Sequence, residues 1–320
     1  MLLTFEEVSK KIKNGILLHI AGTETLLKKL PKGNWIGGST EYFMAKDGGV
    51  VSGDMLFVTE PPCENFSIKN YSVKDIKNVA NDAYDNGFSI AILPFDSGIH
   101  KEYAENADGF ENMFIRTIVG WIAGINLNEA NQTPISINGV TGEAYTNQAV
   151  VAHLEVDSNK TVAVDIINIF KKDESSPVIE FPEDGFVIKN CIVDGKTMPF
   201  VDYLTKNNIN TKMPIVGDYS GRGVNVSFKS IQDGVVYMYA PVFAGIQYRH
   251  AKEITSYEDA FRQRLKDVDD SNTVFSCNCI LNFLYGELEG KKMDAFSGPI
   301  TFGEIAYKLV NQTLVYVTVS

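Results

Sequence analysis

The sequence predicts a mixed α/β protein with two related domains, residues 1–175 and 176–320, each with a mixed sheet, hairpins and flanking helices. Three observations support this fold class. Helix and strand signals alternate through the first 170 residues, which is typical of βαβ units. From residue 135 the hydrophobic period changes to two, the period of half-buried strands. The polar segment 171–177, which ends in proline, is typical of a linker between domains.

Helix signals in the first half combine caps with a 3.6-residue apolar period. Thr4 and Glu7 form a capping box at the start of an amphipathic stretch. The clearest period follows the cap at Ser72 and stops at Asn86-Gly87. We therefore predict helices at 4–15, 23–30, 72–86, 98–106 and 110–126.

Short apolar runs between these helices predict strands. The last two runs flank Asp157-Ser-Asn-Lys160, whose polar residues favour the turn of a hairpin. Strands are predicted at 16–20, 34–40, 50–60, 88–93, 147–156 and 161–170.

The second half repeats these signals. Asp233-Gly234 is the clearest hairpin turn, because both residues tolerate positive φ. Strands are predicted at 186–193, 213–216, 223–231, 235–243, 273–277 and 312–319, and helices at 199–207, 256–268 and 278–286.

A weak internal repeat connects the two halves. Gly139-Val-Thr-Gly142 precedes Asn147 and a predicted hairpin, and Gly217-Asp-Tyr-Ser-Gly221 precedes Asn225 and another. Either the halves are related, or the same turn chemistry arose twice by chance.

Charge and composition narrow the classes of partner. The formal net charge is −11 and the pI is about 4.9, so nucleic acid and anionic membranes are not expected partners. The N-terminus has no basic region, so a signal peptide is not expected. The longest apolar run, Met113 to Leu127, contains Arg116 and is too short for a membrane span. Four cysteines are too few for a disulfide scaffold, so we expect free thiols in the cytoplasm.

Candidate chemical groups are few. Cys277, in Phe275-Ser-Cys-Asn278, lies where a strand gives way to a helix and is either a nucleophile or a buried thiol. Gly221-Arg222-Gly223 presents a cation that either anchors an anion or points to solvent. The four histidines are isolated, which argues against a metal site, and His250 is expected to be exposed. We expect no cofactor, with one of these histidines as a haem ligand being the alternative. The histidines are His19, His100, His153 and His250.

Several motifs resemble the FIST family of sensory domains. Phe275-Ser-Cys-Asn278, Gly298-Pro-Ile-Thr-Phe-Gly-Glu-Ile305 and Asn311-Gln-Thr-Leu314 are similar to the closing motifs of its C-terminal domain. Trp35-Ile-Gly-Gly-Ser-Thr40 and Ile137-Asn-Gly-Val-Thr-Gly142 resemble glycine turns of its N-terminal domain.

The resemblance implies a sensory module that binds a small ligand without chemistry. FIST proteins pass a signal to kinase, cyclase or chemotaxis modules, and some are linked to haem. Because no output module is recognised in this sequence, we expect a separate signalling partner. The alternative function is a cysteine-dependent hydrolase or transferase that uses Cys277.

The predicted binding site is a crevice between the two halves. Ligands of α/β proteins bind at strand ends and domain interfaces, where the equivalent turns of related halves would converge. Arg222 would hold an anionic group and Glu304 an amine, which suits a zwitterion such as an amino acid. The predicted lining residues are Tyr219, Arg222, Ser276, Asn278, Glu304 and Asn147.

Overall fold

A computed structural model describes residues 1–129, 131–219, 221–266, 268–293 and 296–320. It confirms the mixed α/β class, with much more strand than helix. Single 3-10 turns occupy Ile76–Asn78 and Ala107–Gly109. The α-helices are α1 (Phe5–Lys13), α2 (Glu24–Leu27), α3 (Gly98–Asn106), α4 (Phe200–Lys206), α5 (Tyr257–Leu265) and α6 (Ile280–Tyr285).

Strands occur along the whole chain. Those before residue 175 are β1 (Leu2–Leu3), β2 (Leu18–Gly22), β3 (Trp35–Ser39), β4 (Tyr42–Ala45), β5 (Gly48–Val51), β6 (Leu56–Thr59), β7 (Asn65–Tyr71), β8 (Gly87–Pro94), β9 (Ile118–Ala123), β10 (Ser136–Asn138), β11 (Glu143–Tyr145), β12 (Ala149–Glu155) and β13 (Val162–Ile167). Those after it are β14 (Ile179–Glu180), β15 (Gly185–Ile188), β16 (Asn190–Val193), β17 (Lys196–Pro199), β18 (Ile215–Tyr219), β19 (Arg222–Val226), β20 (Phe228–Gln232), β21 (Val235–Val242), β22 (Tyr248–His250), β23 (Thr273–Cys279), β24 (Gly298–Thr301), β25 (Glu304–Ala306), β26 (Lys308–Val310) and β27 (Leu314–Val319).

The sheets are mixed. Parallel pairs form between β2 and β3, between β8 and β9, and between β23 and β24, while the other pairs within the described residues are antiparallel. The strand orders are β1-β6-β2-β3-β10-β11, β26-β25-β9-β8-β12-β7, β13-β27-β23-β24-β4-β5, β17-β16-β14-β22-β18-β19 and β15-β21-β20.

Strands from both sides of residue 175 share two of these sheets. The edge strand β13 pairs with the C-terminal strand β27 through Val162 to Ile167. In the same sheet β4 pairs with β24, and in another β9 pairs with β25. The largest hydrophobic cluster also contains residues of both halves. Residue 175 therefore does not separate two sets of sheets, and the division into two domains there stays a prediction.

The helix predicted at 72–86 is wrong. The structure has one 3-10 turn, Ile76–Asn78, and a strand just before it, β7, that the sequence pattern did not predict. Ile76, Val79 and Ala80 are nevertheless fully buried, so the apolar period did identify an inward face. The following Asn, Asp and Gly residues have low helix propensity, which explains why the turn is not extended.

The helix predicted at 110–126 is also wrong, because its second half is strand β9. This strand lies parallel to β8 and is buried along its whole length. A strand buried on both faces has a continuous apolar sequence that periodicity cannot distinguish from a buried helix. Gly120 is needed here because a Cβ would lie 1.9 Å from the carbonyl oxygen of Ala91.

The hairpin predicted around Asp157-Ser-Asn-Lys160 does not form. The strand before the turn, β12, pairs with β7 and β8, whereas the strand after it, β13, pairs with β27. The turn chemistry was read correctly, but the chain uses it to pass from one sheet to another.

Other predicted elements are confirmed. Thr4 and Glu7 form the capping box of α1, and α3 spans the predicted residues 98–106. Asp233 and Gly234 have φ angles of 50° and 76° and join β20 to β21, as the Asp-Gly turn predicts. In the described parts of the chain, none of the helices combines the length and apolar character that crossing a bilayer requires.

Candidate functional site

Three of the predicted site residues lie on two strands that belong to different sheets and contact each other. Ser276 and Asn278 are in β23 and Glu304 is in β25, and all three are buried. The Ser276 hydroxyl donates a hydrogen bond to the carbonyl oxygen of Ser297 (2.9 Å). Asn278 accepts one from the side-chain amide of Asn282 (2.8 Å). The side-chain nitrogen of Asn278, Nδ2, has no hydrogen-bond partner within the described residues.

Glu304 is enclosed by threonine hydroxyls. Its Oε2 lies 2.7 Å from the hydroxyl of Thr313, and its Oε1 lies 3.2 Å from that of Thr301. Burial raises the pKa of Glu304 to about 8, so the carboxyl group is protonated at neutral pH. A proton on Oε1 is donated to the Thr301 hydroxyl, whose own hydrogen then points to the carbonyl oxygen of Asn278 (3.3 Å).

This enclosed group continues into a wider polar network. The hydroxyl of Tyr257 donates to the side-chain oxygen of Asn282 (2.7 Å) and accepts from the amide of Gln312 (3.1 Å). Asn282 also donates to the carbonyl oxygen of Thr313 (3.1 Å). These contacts lie inside the protein and join β23, α5 and α6 to the segment just before β27. We call this set the Glu304 cluster: Glu304, Thr301, Thr313, Asn278, Asn282, Tyr257 and Gln312.

The remaining predicted residues lie elsewhere. Tyr219 and Arg222 face each other across the β18–β19 hairpin, and the Lys308 ammonium lies 4.2 Å from the Tyr219 ring centroid. Asn147 accepts a hydrogen bond from a backbone N–H of α3 (2.9 Å) and borders an open pocket of its own. Arg222 is exposed and Glu304 is fully buried, so the two do not form a clamp for a zwitterion in this structure. As a common binding site, the six residues stay a prediction.

The thiol of Cys277 is not arranged as a nucleophile. Its sulfur lies 3.4 Å from the carbonyl oxygen of Gly120, to which the thiol donates. Burial, with a smaller contribution from the Glu304 carboxyl, raises the pKa of Cys277 well above its ordinary value. A nucleophilic cysteine requires the opposite shift, because the thiolate is the reactive form.

Three of the four histidines are structural. The ring nitrogens of His153 contact a tyrosine and a serine hydroxyl at 2.7 and 2.8 Å. His19 accepts a hydrogen bond from the indole N–H of Trp121 (2.7 Å), and its Nδ1 has no partner within the described residues. The expectation that His250 is exposed is wrong: it is 9 % exposed, and its Nε2 lies 3.1 Å from the hydroxyl of Tyr203. The ring of Tyr203 stacks on the imidazole, with ring centroids 5.7 Å apart, and covers it.

His100 differs from the other three histidines because its ring lines a pocket. It lies in the first turn of α3 and is 2 % exposed. Its Nδ1 accepts a hydrogen bond from the backbone N–H of Asp96 (3.3 Å), whereas its Nε2 has no partner in the part of the chain that the structure describes. Burial lowers the pKa of His100 to about 4, so the ring is neutral at pH 7. With Nδ1 as acceptor, the hydrogen is on Nε2. We call this Nε2–H the open donor of His100.

A pocket of about 320 Å³ adjoins this ring. It lies where β8 ends and α3 begins, and its other wall comes from β15, β20 and β21 of the second half. The carboxyl end of a parallel strand is where α/β proteins place their ligands. We call it the β8–α3 pocket; its lining residues are Phe95, Asp96, His100, Lys101, Phe186, Val187, Lys229, Ser230, Gln232, Tyr237 and Met238.

The charged side chains of the β8–α3 pocket form ion pairs with one another. The Asp96 carboxylate lies 3.1 Å from the Lys229 ammonium and 3.9 Å from that of Lys101. Desolvation raises the pKa of Asp96, but the hydrogen bond and the charges of the lysines outweigh it and leave the pKa below its ordinary value. Lys229 also lies 4.7 Å from the Phe95 ring centroid, within cation–π distance.

Residues 3–320 match a family described as a family of unknown function (DUF6976). The chain belongs to this family. No curated protein matches the sequence. In this DUF6976 protein, no three His, Cys, Asp or Glu side chains among the described residues are grouped so that they could hold a metal ion.

The β8–α3 pocket of this DUF6976 protein was missed at the sequence level. The sequence predicts the strand at 88–93 and the helix at 98–106, but none of the predicted site residues lies in the loop between them. The position of that loop, at a strand end and a helix start, was the available signal. The opposite wall could not be predicted, because it is formed more than 80 residues later in the chain.

Proposed function

We propose that this protein is a sensory module that binds a small ligand without catalysis, and that the β8–α3 pocket is its binding site. The observation that carries the proposal is the open donor of His100, a buried N–H without a partner on a ring that lines a cavity. Burying a donor without a partner costs about 1–3 kcal/mol. A bound ligand that accepts this hydrogen bond offsets that cost.

The dimensions and lining of the pocket support this assignment. Ligand pockets are typically about 300–1,000 Å³ and combine apolar walls with a few placed polar groups. The β8–α3 pocket, at about 320 Å³, suits a small molecule, and its walls are aromatic on both sides. Because its walls come from distant parts of the chain, a ligand would stabilise their contact, as a sensor requires.

The resemblance to FIST proteins is the second support, and it implies signalling through a separate partner protein. A cytoplasmic location belongs to the same proposal, since all four cysteines are free thiols. An amino acid remains within the proposed ligand class, although the β8–α3 pocket takes the place of the crevice around Arg222 and Glu304.

Ligand-induced thermal stabilisation tests the proposal. We expect a saturable rise in Tm with one class among amino acids, small organic acids, nucleotides and haem, because binding to the folded state stabilises it by mass action. If the ligand binds in the β8–α3 pocket, we expect the rise in Tm to be lost in the Lys229→Met variant and retained in the Lys11→Met variant. Lys11 is a matched control: it pairs with Glu60 at 2.7 Å and its side chain is exposed to a similar extent. Saturable binding that both variants retain would place the site elsewhere.

The alternative, an enzyme that uses Cys277, has a separate test. We expect an alkylating reagent to modify the half-buried Cys63 in the folded protein, and Cys277 only after unfolding. Mass spectrometry of peptides from native and denatured samples reads both sites. Rapid alkylation of Cys277 in the folded protein would support the enzyme and contradict the environment described above.

A further inference from the structure

The β8–α3 pocket carries information about the charge of its ligand, and this step rests on the proposed function. Three charged side chains line the pocket within the described residues: Asp96, Lys101 and Lys229. Asp96 already has both lysines as partners. One positive charge therefore exceeds the negative charge at the pocket wall, although the whole chain carries −11.

The unpaired hydrogen-bond donor of the pocket also favours an anionic ligand. The open donor of His100 needs an acceptor, and an anionic oxygen is the strongest acceptor available to it. The helix that contains His100 also begins at the pocket, and the N-terminus of a helix favours negative charge. An ammonium ligand would instead need a carboxylate, and the Asp96 carboxylate is occupied by Lys229 and Lys101.

The shape of the walls restricts the rest of the ligand. The His100 ring lies between Phe95 and Phe186, with ring centroids 5.4 and 5.6 Å from its own. Tyr237 adds a third aromatic side chain to the lining. Aromatic walls favour flat apolar groups, which gain both burial and ring contacts.

We infer that the β8–α3 pocket binds a small organic anion with a flat apolar body, such as an aromatic carboxylate. The carboxylate accepts from the open donor of His100 and approaches the ammonium of Lys229. The apolar body packs against Phe95, Phe186 and Tyr237.

Lys229 is suited to this role because its position is set before a ligand arrives. Its ammonium is held by Asp96 on one side and by the face of the Phe95 ring on the other. Little side-chain entropy is then lost on binding, which favours affinity.

The test uses four aromatic probes of similar size and different charge. Benzoate is the anion, phenylalanine the zwitterion, benzyl alcohol the neutral probe and benzylamine the cation. Binding to the full chain is measured by NMR titration with 15N-labelled histidine, which detects millimolar affinity and reports on Nε2 of His100 directly. We expect benzoate to bind most tightly and to shift the Nε2 signal.

Substitutions at Lys229 and His100 test whether these two side chains contact the bound probe. Lys229→Met should weaken benzoate binding by about 10-fold or more, as expected for loss of a charge-assisted contact. Lys229→Arg and Lys11→Met should retain it. His100→Leu should weaken it, and His100→Gln should restore part of it, because the glutamine amide also presents an N–H donor. Thermal unfolding without probe confirms that each variant is folded.

The outcomes separate the two proposals. Binding of benzoate that Lys229→Met weakens and Lys11→Met does not supports the anion site. If benzyl alcohol or benzylamine binds in this pocket more tightly than benzoate, the inference on charge is wrong while the proposed binding function stands. If none of the four probes shifts the His100 signal at millimolar concentration, the aromatic-anion site is rejected, and only the wider ligand screen still bears on the proposed function.

Discussion

His100 and Glu304 are both buried ionisable residues whose neutral form is favoured by desolvation, yet their surroundings differ. Both oxygens of Glu304 contact threonine hydroxyls inside the Glu304 cluster. His100 has one satisfied nitrogen and one open donor beside the β8–α3 pocket. The Glu304 carboxyl therefore has hydrogen-bond partners for both oxygens, whereas the His100 ring, which lines a cavity, has a partner for only one nitrogen.

The comparison shows that burial and a shifted pKa do not identify a binding site by themselves. Perturbed groups also occur in structural networks, and the Glu304 cluster has the features of one. His19 and Asn278 also have a buried nitrogen without a partner among the described residues, and what distinguishes His100 is that its ring lines a cavity. From this difference we expect substitutions in the Glu304 cluster to affect stability, and substitutions at the β8–α3 pocket to affect binding.

The largest expected effect is at Glu304. Replacement by alanine removes the group that satisfies the hydroxyls of Thr301 and Thr313 and leaves a cavity, so we expect a loss on the order of 3–5 kcal/mol in the free energy of unfolding. Denaturant titration followed by tryptophan fluorescence measures it. His100→Ala, which enlarges an existing pocket, should cost clearly less, and equal losses would remove the contrast between the two regions.

A pH series should show the second effect. The pKa of Glu304 is near its ordinary value of 4.5 in the unfolded chain and about 8 in the folded protein. Between these two pH values the folded state binds more protons than the unfolded state does. The contribution of Glu304 to the free energy of unfolding is therefore complete below about pH 4.5, falls as the pH rises and is lost above about pH 8.

The isosteric variant isolates this contribution. Glu304→Gln keeps a donor for Thr301 and an acceptor for Thr313 but does not titrate. We expect it to be close to wild type in acid and more stable than wild type at pH 8–9. Parallel pH dependences in the two proteins would show that Glu304 is not the protonated group proposed here.

Tyr257→Phe should have a smaller effect, on the order of 1–3 kcal/mol. The change removes the hydroxyl between Asn282 and Gln312 and leaves both amides without that partner. Tyr237→Phe, at the wall of the β8–α3 pocket, is the matched control, with an expected change under about 0.5 kcal/mol. Chemical denaturation of both variants gives the difference, and a control as damaging as Tyr257→Phe would contradict it.

The smallest expected effect on stability is that of His100→Leu. The leucine side chain removes the open donor and keeps much of the apolar contact, so stability should change by less than about 1 kcal/mol, in either direction. The same variant should lose affinity for benzoate, measured by the NMR titration above. A loss of several kcal/mol would show that the ring is held for stability.

Much of the fold could be read from local sequence. The capping box at Thr4 and Glu7, helix α3 and the Asp233-Gly234 turn each depend on residues within a few positions of one another. Strand β9 could not be read in this way, because a continuous apolar run fits a buried strand and a buried helix equally well until the neighbouring strands are known.

Less of the candidate site could be predicted. Ser276 and Asn278 lie on β23 and Glu304 lies on β25 of another sheet, and the carboxyl of Glu304 faces threonines inside the protein. Whether a polar residue near a strand end faces a cavity or the core depends on what packs over it. For His100 and Lys229 that covering comes from opposite halves of the chain, so neither residue could be joined to the other by spacing.

The sequence by itself determined the mixed α/β class, the acidic charge, the free cysteines and most of the local elements, because these follow from composition and from contacts along the chain. Only the tertiary structure decided that β13 joins the C-terminal strand, that Cys277 is a buried donor and that His100 retains an open one. The physical reason is that a hydrogen bond, a desolvated charge and a cavity are each defined by pairs of groups, and these pairs come from residues far apart in the chain.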